Sequence, residues 1–188
     1  MRLILTTILV SFAIGYLAGG RLAGIATLKI QWPALALAGI ALQFAPVAGI
    51  GGVLLLLFSF ALLLVFVFAN LRGPGFPLVV IGLALNFLVI AVNQGMPVTR
   101  HALIASDQRD TIAGLVRGED TKHHFATDAD EILFLGDVIP VGPPVRQAIS
   151  VGDLFVHAGA AVFIVVGMRR GRRTTNRAAP TGAPGVVH

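Results

Sequence analysis

The sequence predicts an all-α membrane protein, a bundle of about five transmembrane helices with one extracytoplasmic segment before the last helix. Three observations predict this fold. The chain is 56% hydrophobic and 12% charged, about half the charged fraction of an average soluble domain. Apolar stretches long enough to cross a bilayer recur along it. All nine acidic residues lie between Asp107 and Asp153. A soluble fold of 188 residues could not bury so much apolar surface, so lipid is the expected solvent.

The predicted helices follow the apolar stretches, each about 17 to 20 residues long, which matches a hydrocarbon core of about 30 Å. They are Leu3–Gly19, Trp32–Ala48, Ile50–Ala69, Phe76–Val92 and Val151–Met168. Proline and glycine separate them, and Pro33 suits the first turn of the second helix. Residues 1–168 are therefore expected to form one membrane domain, with residues 94–150 as its extracytoplasmic segment.

The basic residues predict the orientation. With five spans, the first loop, the third loop and the tail face the same side and contain eight basic residues and no acid. The positive-inside rule then places the N-terminus outside and the C-terminus inside, with Arg2 as the exception. Residues 169–188 are expected to be a basic, disordered cytoplasmic tail that meets anionic lipid. A membrane-lipid partner is expected, and no nucleic acid, because no nucleic-acid-binding motif accompanies these arginines.

An alternative interpretation of the first span is a cleaved signal peptide. Met1 and Arg2 precede the apolar run, and Ala18, Gly19 and Gly20 supply the small residues of a cleavage site. Cleavage would leave four spans and place the basic first loop outside, against the positive-inside rule.

Small residues predict where helices pack closely. Ser11, Gly15 and Gly19 repeat every four positions on the first helix, as do Ala34 and Ala38 on the second. Such stripes let two backbones approach in lipid. They predict contacts within the bundle or between copies in a homo-oligomer, without distinguishing the two.

Two asparagines in the fourth span are candidate functional residues. Asn86 and Asn93 lie seven residues apart and share a helix face with Gly82. Buried amides in membrane helices usually hydrogen-bond a neighbouring helix, so a structural role is favoured over a catalytic one.

Asp153 and His157 lie one turn apart at the outer start of the fifth helix. An ionisable pair in a membrane span is a functional hypothesis by default. A structural role is equally consistent with the sequence, because Ser150 fits an N-cap and Asp153 the N3 position of a capping box.

Asp137 is flanked on both sides by apolar residues, Ile132–Leu135 before it and Val138–Pro140 after it. We expect it at the membrane surface or against the bundle. Desolvation there would raise its pKa, as a general acid or base requires.

Other kinds of site are not supported by motifs. The chain has no cysteine, no nucleophile elbow and no phosphate-binding glycine loop. A metal site would have to use His123, His124, Asp128, Asp130 and Glu131, whose spacing fits no known metal-binding motif. A solvated face of mixed charge is the preferred interpretation, and neither a metal nor a cofactor is predicted.

Three motifs together resemble a known family. Asn93–Val98, Phe134–Pro140 and Ser150–Asp153, in this order and after Gly20–Leu22, resemble the DUF5317 family of uncharacterised bacterial multi-pass membrane proteins. The resemblance extends to about Met168. It implies a similar bundle in the bacterial cytoplasmic membrane and no particular activity.

The same region has a weaker resemblance to lipoprotein signal peptidases, the aspartyl proteases of the bacterial membrane. That resemblance implies a catalytic dyad of Asp137 and Asp153, and Asn93 matches its Asn-x-Gly motif. His157 is a further candidate because it lies one turn after Asp153. The chain departs from the peptidase pattern because the residue directly after Asp137 is not arginine, and the asparagine that precedes the second aspartate in that family is missing before Asp153.

Two functional classes therefore remain open. The first is a non-enzymatic membrane component that associates with a membrane-protein partner, a lipid or a second copy of itself. The second is an intramembrane hydrolase that uses the Asp137/Asp153 dyad.

Overall fold

The computed structural model describes residues 2–47, 49–120 and 122–177, and for residues 171–177 it describes the backbone only. The chain is predominantly helical. Its elements, in order, are α1 (Arg2–Leu17), α2 (Leu22–Ile25), α3 (Pro33–Leu42), α4 (Gly49–Ala69), α5 (Phe76–Asn93), β1 (Met96–Val98), α6 (Arg100–Ala105), α7 (Arg109–Arg117), β2 (His123–Phe125), a 3-10 turn (Leu133–Leu135), β3 (Ile139–Val141), β4 (Gln147–Ile149) and α8 (Val151–Arg177).

Three of the described helices are long and apolar enough to cross a membrane: α4, α5 and residues 151–170 of α8. Their positions agree with the predicted third, fourth and fifth spans to within a residue or two, apart from the end of α8. The other two predicted spans correspond to shorter apolar helices, α1 with 16 residues and α3 with 10.

The second predicted span is the one that differs most. We expected a helix over Trp32–Ala48, but α3 ends at Leu42 and turns follow it. Pro46 explains the early end, since it has no N–H to donate and disfavours helical backbone in the residue before it. Pro33 does occupy the first turn of α3, as predicted.

The last helix is longer than predicted. α8 continues to Arg177, nine residues beyond the predicted end of the fifth span at Met168. Arginine is a good helix former, and no proline occurs between Pro144 and Pro180, so the sequence contains no proline to stop the helix there. Residues 178–188 lie outside the described part of the chain.

The centre of the bundle is the contact between α5 and α8, where glycines allow the backbones to touch. A Cβ on Gly82 would meet the carbonyl oxygen of Gly152 and lie 2.7 Å from Val156 Cγ2. A Cβ on Gly159 would lie 2.6 Å from the carbonyl oxygen of Gly75. α4 completes this core with its buried Leu56, Phe60, Leu63 and Val67.

The first helix packs on α8 through the predicted small residues. Ser11 and Gly15 are buried, and a Cβ on Gly15 would collide with the side chain of Met168. On α3, Ala34 and Ala38 are exposed, so the predicted stripe does not pack inside the bundle, and contact between copies stays a prediction. Gly39 contacts α4 instead, with its Cβ position 2.8 Å from Leu63 Cγ.

Residues 94–150 fold over the end of the bundle where α5 stops and α8 starts. β1 pairs in parallel with β2, and β3 pairs antiparallel with β4. A small apolar core of Val98, Ala102, Leu103 and Ala148 joins the two pairs to α6. We call this segment the cap.

We predict that Gly82→Ala lowers the thermal stability of the detergent-solubilised protein, because backbone and Val156 already occupy the space of the new methyl group. Overpacking of this kind costs about 1–3 kcal/mol. The matched control is Gly51→Ala, also in a helix, where the nearest atom to the Cβ position is 3.5 Å away. Equal unfolding midpoints for the two variants would refute the close α5–α8 contact.

Candidate functional site

The cap brings together two segments that are almost 40 residues apart in the sequence. The Asp137 backbone N–H donates to the carbonyl of Pro97 at 2.9 Å, and the Thr99 N–H donates to the carbonyl of Asp137 at 3.3 Å. A parallel bridge pairs Val98 with Asp137. Gly136 permits this approach, since a Cβ there would lie 2.6 Å from the Pro97 oxygen. Asp137 is thus fixed beside β1.

A line of three ionisable side chains includes Asp137. His123 lies between two carboxylates, with Nδ1 3.0 Å from Asp120 Oδ2 and Nε2 3.7 Å from Asp137 Oδ2. Asp120 is held in turn by the backbone N–H groups of Lys122 and His123, each 2.9 Å from Oδ1. The pairing orients the imidazole so that one ring nitrogen faces Asp137.

Asp137 is the buried member of this line. It is 8% exposed, and its Oδ1 has no hydrogen-bond partner among the described residues. Burial raises the pKa of Asp137 to about 7, with the attraction of His123 opposing and the charges of Asp153 and Asp120 adding to the rise. Unpaired buried oxygens are rare in folded proteins and often mark a functional site.

The two partners of Asp137 respond differently to burial. Burial lowers the pKa of His123, but the bond to Asp120 and the charges of both aspartates outweigh it, so the pKa is raised overall. Burial raises the pKa of Asp120, but its bonds to His123 and to backbone N–H groups outweigh it and hold the pKa well below its usual range. Asp120 therefore remains a carboxylate that supports a protonated His123.

A cavity of about 410 Å³ opens onto Asp120, His123 and Asp137. Its remaining lining combines two arginines and three other polar residues with four apolar ones: Arg2, Val98, Leu103, Gln108, Thr111, Val145, Arg146, Gln147 and Ala148. We call it the Asp137 pocket. Arg146 Nη1 lies 3.4 Å from Asp107 Oδ2, so one of the two arginines is partly neutralised.

Asp153 has a different environment. Ser150 Oγ accepts from the Asp153 N–H at 2.9 Å, and Asp153 Oδ2 accepts from the Ser150 N–H at 3.3 Å, which is the predicted capping box. Asp153 Oδ1 accepts from Asn86 Nδ2 at 2.9 Å, while Ser150 Oγ donates to Asn86 Oδ1 at 2.8 Å. The prediction that Asn86 bonds a neighbouring helix is confirmed.

These contacts bear on the dyad hypothesis. Both carboxylate oxygens of Asp153 accept hydrogen bonds from Asn86 or Ser150, and no hydrogen bond joins Asp153 to Asp137 among the described residues. A dyad that shares one proton requires such a bond. The structure brings the two aspartates to the same end of the bundle, where the charge of Asp153 acts on Asp137.

The other two candidates bind structural partners. His157 Nδ1 lies 3.1 Å from Thr7 Oγ1 and links α8 to α1. The Asn93 side chain donates to the carbonyl of Glu131 at 2.9 Å and accepts from the Glu131 N–H at 2.7 Å. Asn93 thereby ties the cap to the end of α5, just before the turn that carries Asp137.

The residues of the metal hypothesis separate into two groups. His124 Nε2 lies 2.8 Å from Asp130 Oδ1, and Asp130 Oδ2 accepts from Thr127, so these side chains form a local turn. Asp128 and Glu131 are exposed. In residues 2–47, 49–120 and 122–170, no three histidine, aspartate or glutamate side chains converge as metal ligands would.

Sequence reasoning missed the role of Asp120 and the partnership of His123 with Asp137. In the sequence, His123 has only the pattern of a candidate metal ligand, and no motif points to Asp120. The link of Asp120 and His123 to Asp137 depends on the β1–β2 pairing, for which three-residue strands give no pattern in the sequence. Arg2 stands out in the sequence only as the exception to the orientation rule.

Fold and site together define a predominantly helical protein with three helices able to cross a membrane and a folded polar cap around a buried carboxylate. The chain belongs to DUF5317, a family of unknown function whose profile matches residues 27–165. It is also similar to an uncharacterised protein of Thermotoga maritima, 36% identical over 111 residues, which cover 57% of this chain. The match spans 61% of that relative's length. No solved structure matches the chain.

We predict that the protein loses stability as pH rises from the ordinary aspartate pKa of 3.8 to about 7. A carboxyl whose pKa is raised on folding binds its proton more tightly in the folded state, so its stabilising effect is lost as pH passes through the raised value. The raised pKa of His123 acts in the same direction. Asp137→Asn should flatten the decline, an effect on the order of a few kcal/mol.

The measurement is the unfolding midpoint of the detergent-solubilised protein at several pH values. Asp128→Asn is the control, because Asp128 is exposed and does not line the pocket. If Asp137→Asn keeps the pH dependence of the unsubstituted protein, the buried carboxyl does not titrate in this range.

Proposed function

We propose that this chain is a five-span protein of the bacterial cytoplasmic membrane, with its N-terminus outside and its C-terminus inside. α1 and α3 are then the two shorter spans, and the cap is extracytoplasmic. Large apolar side chains on the outer faces of the helices support the membrane setting, with Leu37 70%, Leu54 60% and Phe58 56% exposed. In water these residues would form an apolar patch far larger than soluble proteins tolerate.

The packing of α1 supports its retention rather than its removal as a signal peptide. Ser11 and Gly15 are buried against α8, Thr7 bonds His157, and the Arg21 N–H donates to the carbonyl of Met168 at 2.9 Å. Cleavage after Gly20 would expose this face of α8.

A reporter experiment tests the orientation. A periplasmic reporter fused after Asp128, an exposed position in the cap, should be active, and the same reporter after Met168 should be silent. The two fusions control for each other, since both must be found in the membrane fraction. The reverse pattern would place the cap in the cytoplasm and contradict the proposal.

For function, we infer a non-enzymatic membrane component whose Asp137 pocket binds a small polar ligand or the polar group of a partner. The observation that carries this inference is the buried Asp137 carboxyl, which has an unpaired Oδ1 and lies against a cavity of about 410 Å³. A group with a pKa near 7 offers both a donor and an acceptor at neutral pH. Arg2 supplies positive charge to the same cavity, and His123 adds to it when protonated.

A hydrolase remains the second candidate, and one observation favours it. Asp137 has the pKa of a general acid or base, and the His123 ring, oriented by Asp120, lies beside it with Nε2 3.7 Å from Asp137 Oδ2. In the original form of this hypothesis Asp153 is the second member of a dyad. That form requires Asp153 to leave its bonds to Asn86 and Ser150.

Three substitutions distinguish the candidates, each measured by abundance in the membrane and by rescue of a strain that lacks the gene. In a binding site, Asp137→Asn preserves the neutral hydrogen-bonding group and should keep most of the rescue, whereas Asp137→Leu should abolish it. In a hydrolase both should abolish rescue, because neither side chain transfers a proton.

Asp153→Asn completes the set. Since Asp153 caps α8 and bonds Asn86, the binding proposal predicts lower abundance for this variant, at a cost of about 1 kcal/mol for the lost cap. Normal abundance with no rescue, for both Asp137→Asn and Asp153→Asn, would establish the dyad and overturn the non-enzymatic proposal.

A further inference from the structure

A second cavity lies at the opposite end of the bundle from Asp137. It is about 600 Å³ in volume and is lined by residues 27–31, by the end of α4 with the turn into α5, and by Phe163 and Arg170 of α8. Phe76 begins α5 at this cavity, while Asn93 ends it at the cap, about 27 Å away along an 18-residue helix. We call it the inner pocket.

The inner pocket carries positive charge without a neutralising acid. Lys29, Arg72 and Arg170 line it, and they come from three different parts of the chain. Every acidic residue of the protein lies between Asp107 and Asp153, so none lies in the segments that form this cavity. The charge is therefore available to an anionic ligand.

One wall of the inner pocket is held in place by a buried amide. Asn70 is 7% exposed, and its Nδ2 donates to the carbonyl of Gln31 at 2.9 Å, while the Gln31 N–H donates to Asn70 Oδ1 at 2.8 Å. Nδ2 also donates to the carbonyl of Phe66 at 2.8 Å. These bonds fix residues 27–31 against the end of α4. A wall ordered in advance reduces the entropy cost of binding.

An apolar groove continues from the inner pocket between α1, α5 and α8. It is about 390 Å³ in volume and presents no polar surface. It shares Ile30, Pro74, Phe76 and Phe163 with the inner pocket, so the two cavities adjoin along these four residues. Ile4 and Ile8 of α1, Val79 of α5 and Ala160 of α8 extend the groove along these helices.

We propose that the inner pocket and the groove form one binding site for an anionic glycerophospholipid. The phosphate group lies among Lys29, Arg72 and Arg170, and one acyl chain lies in the groove. Basic pockets between membrane helices on the cytoplasmic side bind acidic headgroups. A free phosphate would meet the same cations but leave the groove unfilled. The site is separate from the Asp137 pocket and does not need a ligand there.

The single tryptophan of the chain provides the measurement. Trp32 directly follows Gln31, which lines the inner pocket. The full-length protein in neutral detergent is titrated with brominated phosphatidylglycerol, and quenching of tryptophan fluorescence is recorded. Phosphatidylglycerol should bind at least about tenfold more tightly than brominated phosphatidylcholine with the same chains, since each nearby cation contributes about fivefold. Glycerol phosphate should not displace it.

Two matched pairs of variants test the two halves of the site. Arg170→Gln removes a lining cation and should weaken binding about fivefold, whereas Arg169→Gln, on a neighbouring exposed residue outside the lining, should change it less than about twofold. Ala160→Phe fills the groove and should block the acyl chain, whereas Ala158→Phe adds the same ring at an exposed position.

Four results would overturn the proposal. Equal affinity for the two phospholipids would show that charge does not select the ligand. Displacement by glycerol phosphate would identify a phosphate site that does not use the groove. Equal losses from Arg170→Gln and Arg169→Gln would indicate diffuse surface charge. Undiminished binding by a folded Ala160→Phe variant would exclude the acyl chain. The arginine pair keeps the test valid if Ala160→Phe does not fold, because both arginine side chains are exposed.

Discussion

The close contact between α5 and α8 is the constraint on which the rest of the structure depends. Lipid gives apolar helices little drive to associate, so backbone approach at Gly82, Gly152 and Gly159 supplies the packing. At the end of this contact next to the cap, Asn86 bonds both Asp153 and the Ser150 hydroxyl. One amide therefore sets the start of α8 against α5. Because the cap enters from the end of α5 and leaves into α8, this junction also fixes the two ends of the cap.

The cap buries the Asp137 carboxyl beside that junction. Asn93 holds the Glu131 backbone, and β1 holds the Asp137 backbone, so the carboxyl is buried by main-chain contacts that any residue at position 137 would make. The backbone contacts, and not the side chain, determine the position of Asp137. The carboxyl is therefore buried without enough polar partners, and burial raises its pKa. Asp153 shows the opposite case. Its side chain has structural partners on both oxygens, which explains its presence without any chemistry.

The two ends of the bundle differ in charge and therefore in what they can bind. The end at the cap combines acids with Arg2, His123 and Arg146, which is the charge pattern that the proposed polar ligand requires. The inner pocket is lined by cations and no acid beside an apolar groove, which is the pattern that the proposed phospholipid requires. The segregation of all acids to residues 107–153 thus gives the two ends of the bundle different charge.

The sequence by itself determined the positions of the long helices, the family, the capping box and the burial of Asp137. These follow from patterns within about 20 residues: apolar length, Ser150 three positions before Asp153, and apolar flanks around one acid. Only the tertiary structure decided that α3 is short, that Gly39 packs in place of Ala34 and Ala38, and that Asp120 and His123 meet Asp137. Those outcomes depend on contacts between segments far apart in the chain, such as the three-residue pairing of β1 with β2, and short strands leave no periodic signal. The local sequence pattern determines which side chains are buried. The hydrogen-bonding partner of each buried polar group depends on which distant segment of the chain packs beside it.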